Sequence, residues 1–146
     1  MAWFKRTRKG IQTNTKDKKD TPDGLWHKTP TGKIVDNDEL VNNNFVSPED
    51  NFHMRIGSNE YFNLLFDSDY EILFNNLKAS DPLKFTDTKT YPKRVKEANK
   101  KTGLAEAISV AYGNSCSKPL TIASMDFSYI GGSMGSVVGE KISRAI

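Results

Sequence analysis

Between Tyr129 and Lys141 the chain reads YIGGSMGSVVGEK, with four glycines and two serines between an apolar run and a basic, helix-like tail. Backbone this bare costs conformational entropy, so the segment should serve a turn, a close packing contact or a ligand. It is not a P-loop, because GGSMGS lacks the G-K-[ST] ending and Lys141 falls well into the following helix. It is not the dinucleotide fingerprint either, since the glycines run G-G-x-x-G-x-x-x-G. Amides beside a helix N-terminus could donate to a thioester oxygen or a phosphate. Alternatively, Gly135, Gly139 and Ser143 could let the helix approach a sheet closely. The residues alone leave both readings open.

A second constellation lies in the turns WHKTPTG and VSPEDNFH, which have the form of a zinc ribbon stripped of its metal. A ribbon needs two C-x-x-C knuckles, because four thiolates make a closed tetrahedral site. Thr29 and Gly32 stand at one knuckle, Ser47 and Asp50 at the other, and none supplies a thiolate. A mixed site from His27, Asp50 and His53 is conceivable, but one carboxylate and two histidines at unrelated spacing are common in solvated turns. The expectation is a module held by packing of Trp26, Ile34, Val35, Phe45, Val46 and Phe52. Cys116, the one cysteine, sits in the turn-like GNSCSK with no strong base beside it to activate the thiol.

The elements that must carry these residues follow from periodicity. Short apolar pieces over residues 24–56 read as small strands joined by tight turns, DNDE among them. From Ser58, a plausible N-cap, the stripe Tyr61, Phe62, Leu64, Leu65 and Phe66 predicts a helix. YEILFNN reads as a strand and SDPLKF as a connector. Pro92 suits the first helical position of a basic helix over Lys93–Thr102, which Gly103 should close. Ile108, Val110 and Tyr112, then Leu120 and Ile122, predict a hairpin whose second strand ends at the glycines. Residues 136–146 then complete a β-β-α unit. That last helix has no C-terminal stop signal, so the 146 residues are expected to be the amino-terminal part of a longer protein.

Composition sets wider limits. Hydrophobic residues are 36% and charged residues 27% of the 146, enough for one domain with a core. The net charge of +3 does not demand a nucleic-acid partner. It is uneven, however: Lys5, Arg6, Arg8, Lys9, Lys16, Lys18 and Lys19 face only Asp17, and Trp3 and Phe4 lie beside them. This arm and the Lys93–Lys101 helix could bind phosphates non-specifically, against the plainer reading of a solvated tail and face. A single cysteine, no apolar signal-like stretch and no run of ~20 apolar residues predict a soluble cytoplasmic protein with no membrane contact.

FSYIGGSMGSVVGEKISRAI, DPLKFTDTKTYPKRVKEANKKTGLAEAI and the GLW…FHMRI module together resemble the β subunit of bacterial acetyl-CoA carboxylase carboxyltransferase, in order and across essentially the whole chain. The resemblance implies an α+β fold. It comprises a basic arm (1–23), a zinc-ribbon-like module without metal ligands (24–56) and the truncated start of a crotonase-like domain (57–146). The family's cysteines fall at Thr29, near Thr31 or Gly32, at Ser47 and at Asp50, and their joint loss implies a ribbon kept without zinc. The implied reaction moves a carboxyl group from carboxybiotin to acetyl-CoA, giving malonyl-CoA. Implied partners are the carboxyltransferase α subunit in an α2β2 assembly, the biotin carboxyl carrier protein, which holds the biotin, and biotin carboxylase. No cofactor is expected to bind this chain directly. Its stretch is expected to hold no catalytic residue and to be inactive alone. Gly131, Gly132, Ser133, Met134 and Gly135 are expected to form a wall of the acyl-CoA site. The competing function is a basic nucleic-acid-binding module built from the arm and ribbon.

Overall fold

The computed structural model describes residues 24–146; the expected basic arm over residues 1–23, with Trp3 and Phe4, lies outside them. Two antiparallel sheets and four helices make an α+β architecture.

The first sheet pairs β1 (Trp26–Lys28) with β2 (Ile34–Asp36), with His27 opposite Val35. Gly32 turns the chain between them at φ 90°, and the Thr29 amide closes the loop onto the Lys33 carbonyl at 2.9 Å. Strand alternation puts Trp26, Lys28, Ile34 and Asp36 on one face. That face is outward: Trp26 and Ile34 are exposed, and Phe52 is only partly covered. The expected packing core is corrected accordingly. Val35 and Leu40 are the buried apolar side chains of this module, beside buried Thr29 and Ser47.

Leu40 belongs to an element the sequence reading took for a turn. Helix α1 (Asn37–Asn42) begins where the Asp36 carboxylate accepts the Asp38 amide at 2.8 Å, and Asp38 and Glu39 in its first turn suit the helix dipole. A bridge between Val46 and His53 then ties the second knuckle loop.

Helix α2 (Ser58–Leu65) starts one residue earlier than expected. Gly57 is the N-cap, and the carboxylates of Glu60 and Asp126 take the Gly57 and Ser58 amides at 2.9 and 2.8 Å. Of the predicted stripe only Phe62 and Phe66 are buried; Tyr61, Leu64 and Leu65 are exposed. The Phe62 and Phe66 rings each pack with Tyr70 at a centroid distance of 5.3 Å. A Cβ at Gly113 would meet the Phe66 ring at 2.9 Å, so that position on the neighbouring strand must stay bare.

The second sheet has the order β3-β4-β5, with β3 (Glu71–Leu73), β4 (Ile108–Ser115) and β5 (Lys118–Met125) all antiparallel. Cys116 and Ser117 form the two-residue turn with φ 50° and 62°, the hand that matches strand twist. Neither is glycine; the Asp67 carboxylate offsets the strain by accepting both amides, at 2.9 and 2.7 Å. Helix α3 (Tyr91–Thr102) carries Pro92 in its first turn and ends at Gly103, φ 73°. Helix α4 (Ser136–Ala145) packs Val138 with Ala107, Ile108 and Tyr129. Ala111, on the opposite parity of β4, packs instead with Phe62 and Phe66. The strand is therefore covered on both faces where it is most apolar. Among the described residues no helix is long and apolar enough to cross a membrane.

Candidate functional site

The glycine segment begins later than its sequence suggests. Strand β5 ends at Met125, and Asp126 leaves it with its amide on the Ala107 carbonyl at 2.7 Å. Phe127–Ile130, expected in the strand, instead turn: the Tyr129 amide reaches the Asp126 carbonyl and the Gly132 amide the Tyr129 carbonyl. Ile130, Gly131 and Gly132 follow one another with φ of 46°, 68° and 72°. Backbone hand thus favours glycine at two of these positions, because L side chains disfavour this region, while Ile130 adopts it at a cost. Gly132 is also crowded, since a Cβ there would stand 3.2 Å from the Phe127 ring. That ring in turn carries the Arg55 guanidinium 5.0 Å above it, which links the end of the first module to the glycine turn.

Gly135 and Gly139 answer the opening alternatives differently. Neither meets another heavy atom within 4 Å of an added Cβ among the described residues, and Ser143 is exposed. Among the described residues, then, neither glycine marks a close approach of helix to sheet. Gly135, extended at φ −94°, is the N-cap of α4, where the first amides of any helix lack intrahelical acceptors.

Beside that helix start lies a cavity of about 500 Å³, lined by Ile130, Ser133 and Ser136 together with Pro82, Leu83, Phe85 and Tyr91. Arg94 lines it too, with its guanidinium paired to the Asp87 carboxylate. Of the five residues expected to wall a site, Ser133 lines this cavity. Gly131 lines a separate groove with Lys89 and Ser128, Gly132 is packed under Phe127, and Met134 and Gly135 are exposed. Much of the remaining lining comes from a stretch read as a connector, whose approach to the glycines has no local signal.

The knuckles also meet. Thr29 Oγ1 lies 2.9 Å from Thr31 Oγ1, the Thr31 hydroxyl donates to Asp50 Oδ2, and the Phe52 amide donates to Asp50 Oδ1 at 3.2 Å. Nearby hydroxyls of Ser47, Thr31 and Thr29, in that order, hold the Asp50 carboxyl well below the usual carboxylate range. Of the neighbours Thr31 and Gly32, Thr31 supplies the hydroxyl that reaches Asp50, and Gly32 turns the chain. The mixed His27–Asp50–His53 arrangement does not form. His27 Nε2 pairs with Asn37 Oδ1 at 3.2 Å, and no cluster of three metal-ligating side chains occurs among the described residues.

Sequence reasoning missed three buried ionisable groups, Glu106, Asp126 and Lys141. Asp126, 3% exposed, caps α2, and Lys141, 2% exposed, donates to the Ile108 carbonyl at 3.0 Å. Burial pulls the Lys141 ammonium pKa down, while the Glu106 carboxylate acts in the opposite sense.

No protein-family model matches the chain. Among curated proteins it is 60% identical over 146 residues to the acetyl-coenzyme A carboxylase carboxyl transferase subunit beta of Christiangramia forsetii, covering 99% of this chain and 51% of that protein. The protein of the same name from Flavobacterium psychrophilum is 55% identical, with 100% and 52% covered. That from Pedobacter heparinus is 52% identical, with 100% and 53% covered. Across essentially its whole length the chain is similar to these β subunits. It spans about half the length of the curated relatives it matches. The family resemblance read from GGSMGSVVGEK and its neighbours therefore holds along the whole chain, including the module that lacks thiolates.

Proposed function

We propose that the chain works as part of a carboxyltransferase β subunit that moves a carboxyl group from carboxybiotin to acetyl-CoA, forming malonyl-CoA for fatty acid synthesis. The observation that carries this is identity of 52–60% to named β subunits across essentially every residue present. The chemistry requires an enolate of the thioester, whose charge gathers on oxygen, and backbone amides are suited to stabilise it. In this reading the cavity beside Ser133 and Ser136 borders the acyl-CoA site, with the exposed amides at the start of α4 along its rim. No side chain of the chain is assigned acid–base work. The domain over residues 57–146 is read as the start of a crotonase-like fold.

The working assembly pairs this subunit with the carboxyltransferase α subunit as α2β2, supplied by biotin carboxylase and the biotin carboxyl carrier protein, in the cytoplasm. The biotin belongs to the carrier. The nucleic-acid alternative gains no observation in its favour; on α3 and the turn before it, Arg94 is paired with Asp87 and Lys89 with Glu97. The test is malonyl-CoA formation by a complete β subunit containing this chain, assembled with α and given carboxybiotin and acetyl-CoA. The 146 residues alone should form none. A folded, complete assembly without carboxyl transfer would overturn the reading.

A further inference from the structure

The ribbon of this chain has lost the means to hold zinc and has gained a centre of opposite charge. Structural zinc is a cation ringed by anionic or imidazole ligands in a closed tetrahedron. At the converging knuckles here stand three neutral hydroxyls, from Thr29, Thr31 and Ser47, and the Asp50 carboxylate. His27 is engaged with Asn37, and His53 lies in the bridge to Val46. This donor set does not fit zinc.

It does fit an anion at the centre. An ionised carboxylate only accepts hydrogen bonds, at about four lone-pair sites. Both Asp50 oxygens are used, one by the Thr31 hydroxyl of the first knuckle and one by the Phe52 amide of the second. Thr29, 3% exposed, extends the chain of hydroxyls inward from Thr31. The Ser47 hydroxyl is fully buried and has no well-formed hydrogen bond, yet it lies near enough to the carboxylate to favour its charged form. A hydroxyl proton can rotate to serve it. The loops around this centre are in register: the Thr29 amide bonds Lys33, the Ser47 amide bonds Phe52, and the Asn51 amide bonds the Ser47 carbonyl.

We propose that Asp50 is the hub that clamps the two knuckles where a metal would otherwise sit, an anion ringed by O–H and N–H donors. The module then folds without zinc and is indifferent to chelators and to thiol oxidants. This holds whether or not the carboxyltransferase reading is right.

Amide hydrogen exchange on the 146-residue chain tests it, with the β4–β5 amides as internal reference. Charge-assisted bonds are worth enough that Asp50→Asn should speed exchange at Thr29, Ser47 and Asn51 by about tenfold or more, leaving β4–β5 unchanged. Thr31→Val, at an exposed site that threatens no core, should loosen the same amides. Thr31→Ser, which keeps the hydroxyl, should not. In the native chain neither EDTA nor added zinc should alter exchange. Native-like exchange in Asp50→Asn or in Thr31→Val would overturn the hub. So would loosening of the native module by chelator, or its tightening by zinc.

Discussion

Tyr129 binds the glycine segment to the rest of the core through one atom. Its ring is buried and its hydroxyl donates to Asn99 Oδ1 on α3 at 2.7 Å. Burial, and then the nearby Glu106 charge, push the phenol up to about 12. A group whose folded pKa is raised stabilises fully below its unfolded pKa of ~10 and loses that contribution as pH climbs toward the folded value. Tyr129→Phe should therefore cost about 1 kcal/mol at pH 8, and the gap to wild type should narrow between pH 10 and 12. Denaturant unfolding at both ends checks this; a gap that widens with pH would refute it. The glycines separate by the same scale of reasoning. Gly132→Ala meets both a positive φ and the Phe127 ring, so a loss of about 1–3 kcal/mol is expected. Gly135→Ala enters open space in extended backbone and should cost well under that. Thermal melts of the two variants should rank them so. In a complete assembly, a rate loss in Gly135→Ala at unchanged stability would mark its amide environment as a ligand surface.

Among the elements, α4 offers a direct check of what its glycines do. Gly139 sits in mid-helix with nothing near an added Cβ among the described residues. Gly139→Ala should accordingly stabilise the chain by about 0.5–1 kcal/mol; a loss of stability would restore the close-packing reading. How far each element was legible depended on whether its cause was local. Helix α3 announces itself by Pro92 and Gly103, and the β4–β5 hairpin by alternation on either side of a polar turn. Helix α1 escaped because Asn37–Asn42 is composed like a turn, and the helix is secured by Leu40 finding a buried place. Strands of three residues carry no usable period, so Trp26 and Ile34 were put inside when their ladder turns them out. Phe127–Ile130 continued an apolar run, yet Asp126 breaks the strand by serving α2, far away in sequence. The candidate site divides similarly. Composition marks the glycines, whereas the lining from Pro82 to Tyr91 and the hub at Asp50 exist only through tertiary approach.

Over the whole molecule, the apolar surface near α4 is uneven. Met134 is 77% exposed, Ile142 38%, and Ile146 is open to solvent. Exposed apolar side chains of this size favour association, so the sedimentation coefficient of the chain under reductant should rise with concentration. Met134→Glu with Ile142→Glu should abolish the rise, and a clean monomer at all concentrations would dismiss the association. The β4–β5 hairpin has a consequence in time. Its strands align from Ile108 with Met125 to Ser115 with Lys118 across only two residues, so little loop entropy opposes its closure. Hairpins of this kind form within ~1–10 μs, whereas β3 must return across the long excursion through α3 to reach β4. The hairpin should therefore be the nucleus on which the molecule assembles. Val110→Ala should slow folding, while Val35→Ala, in the separate small sheet, should mainly hasten unfolding.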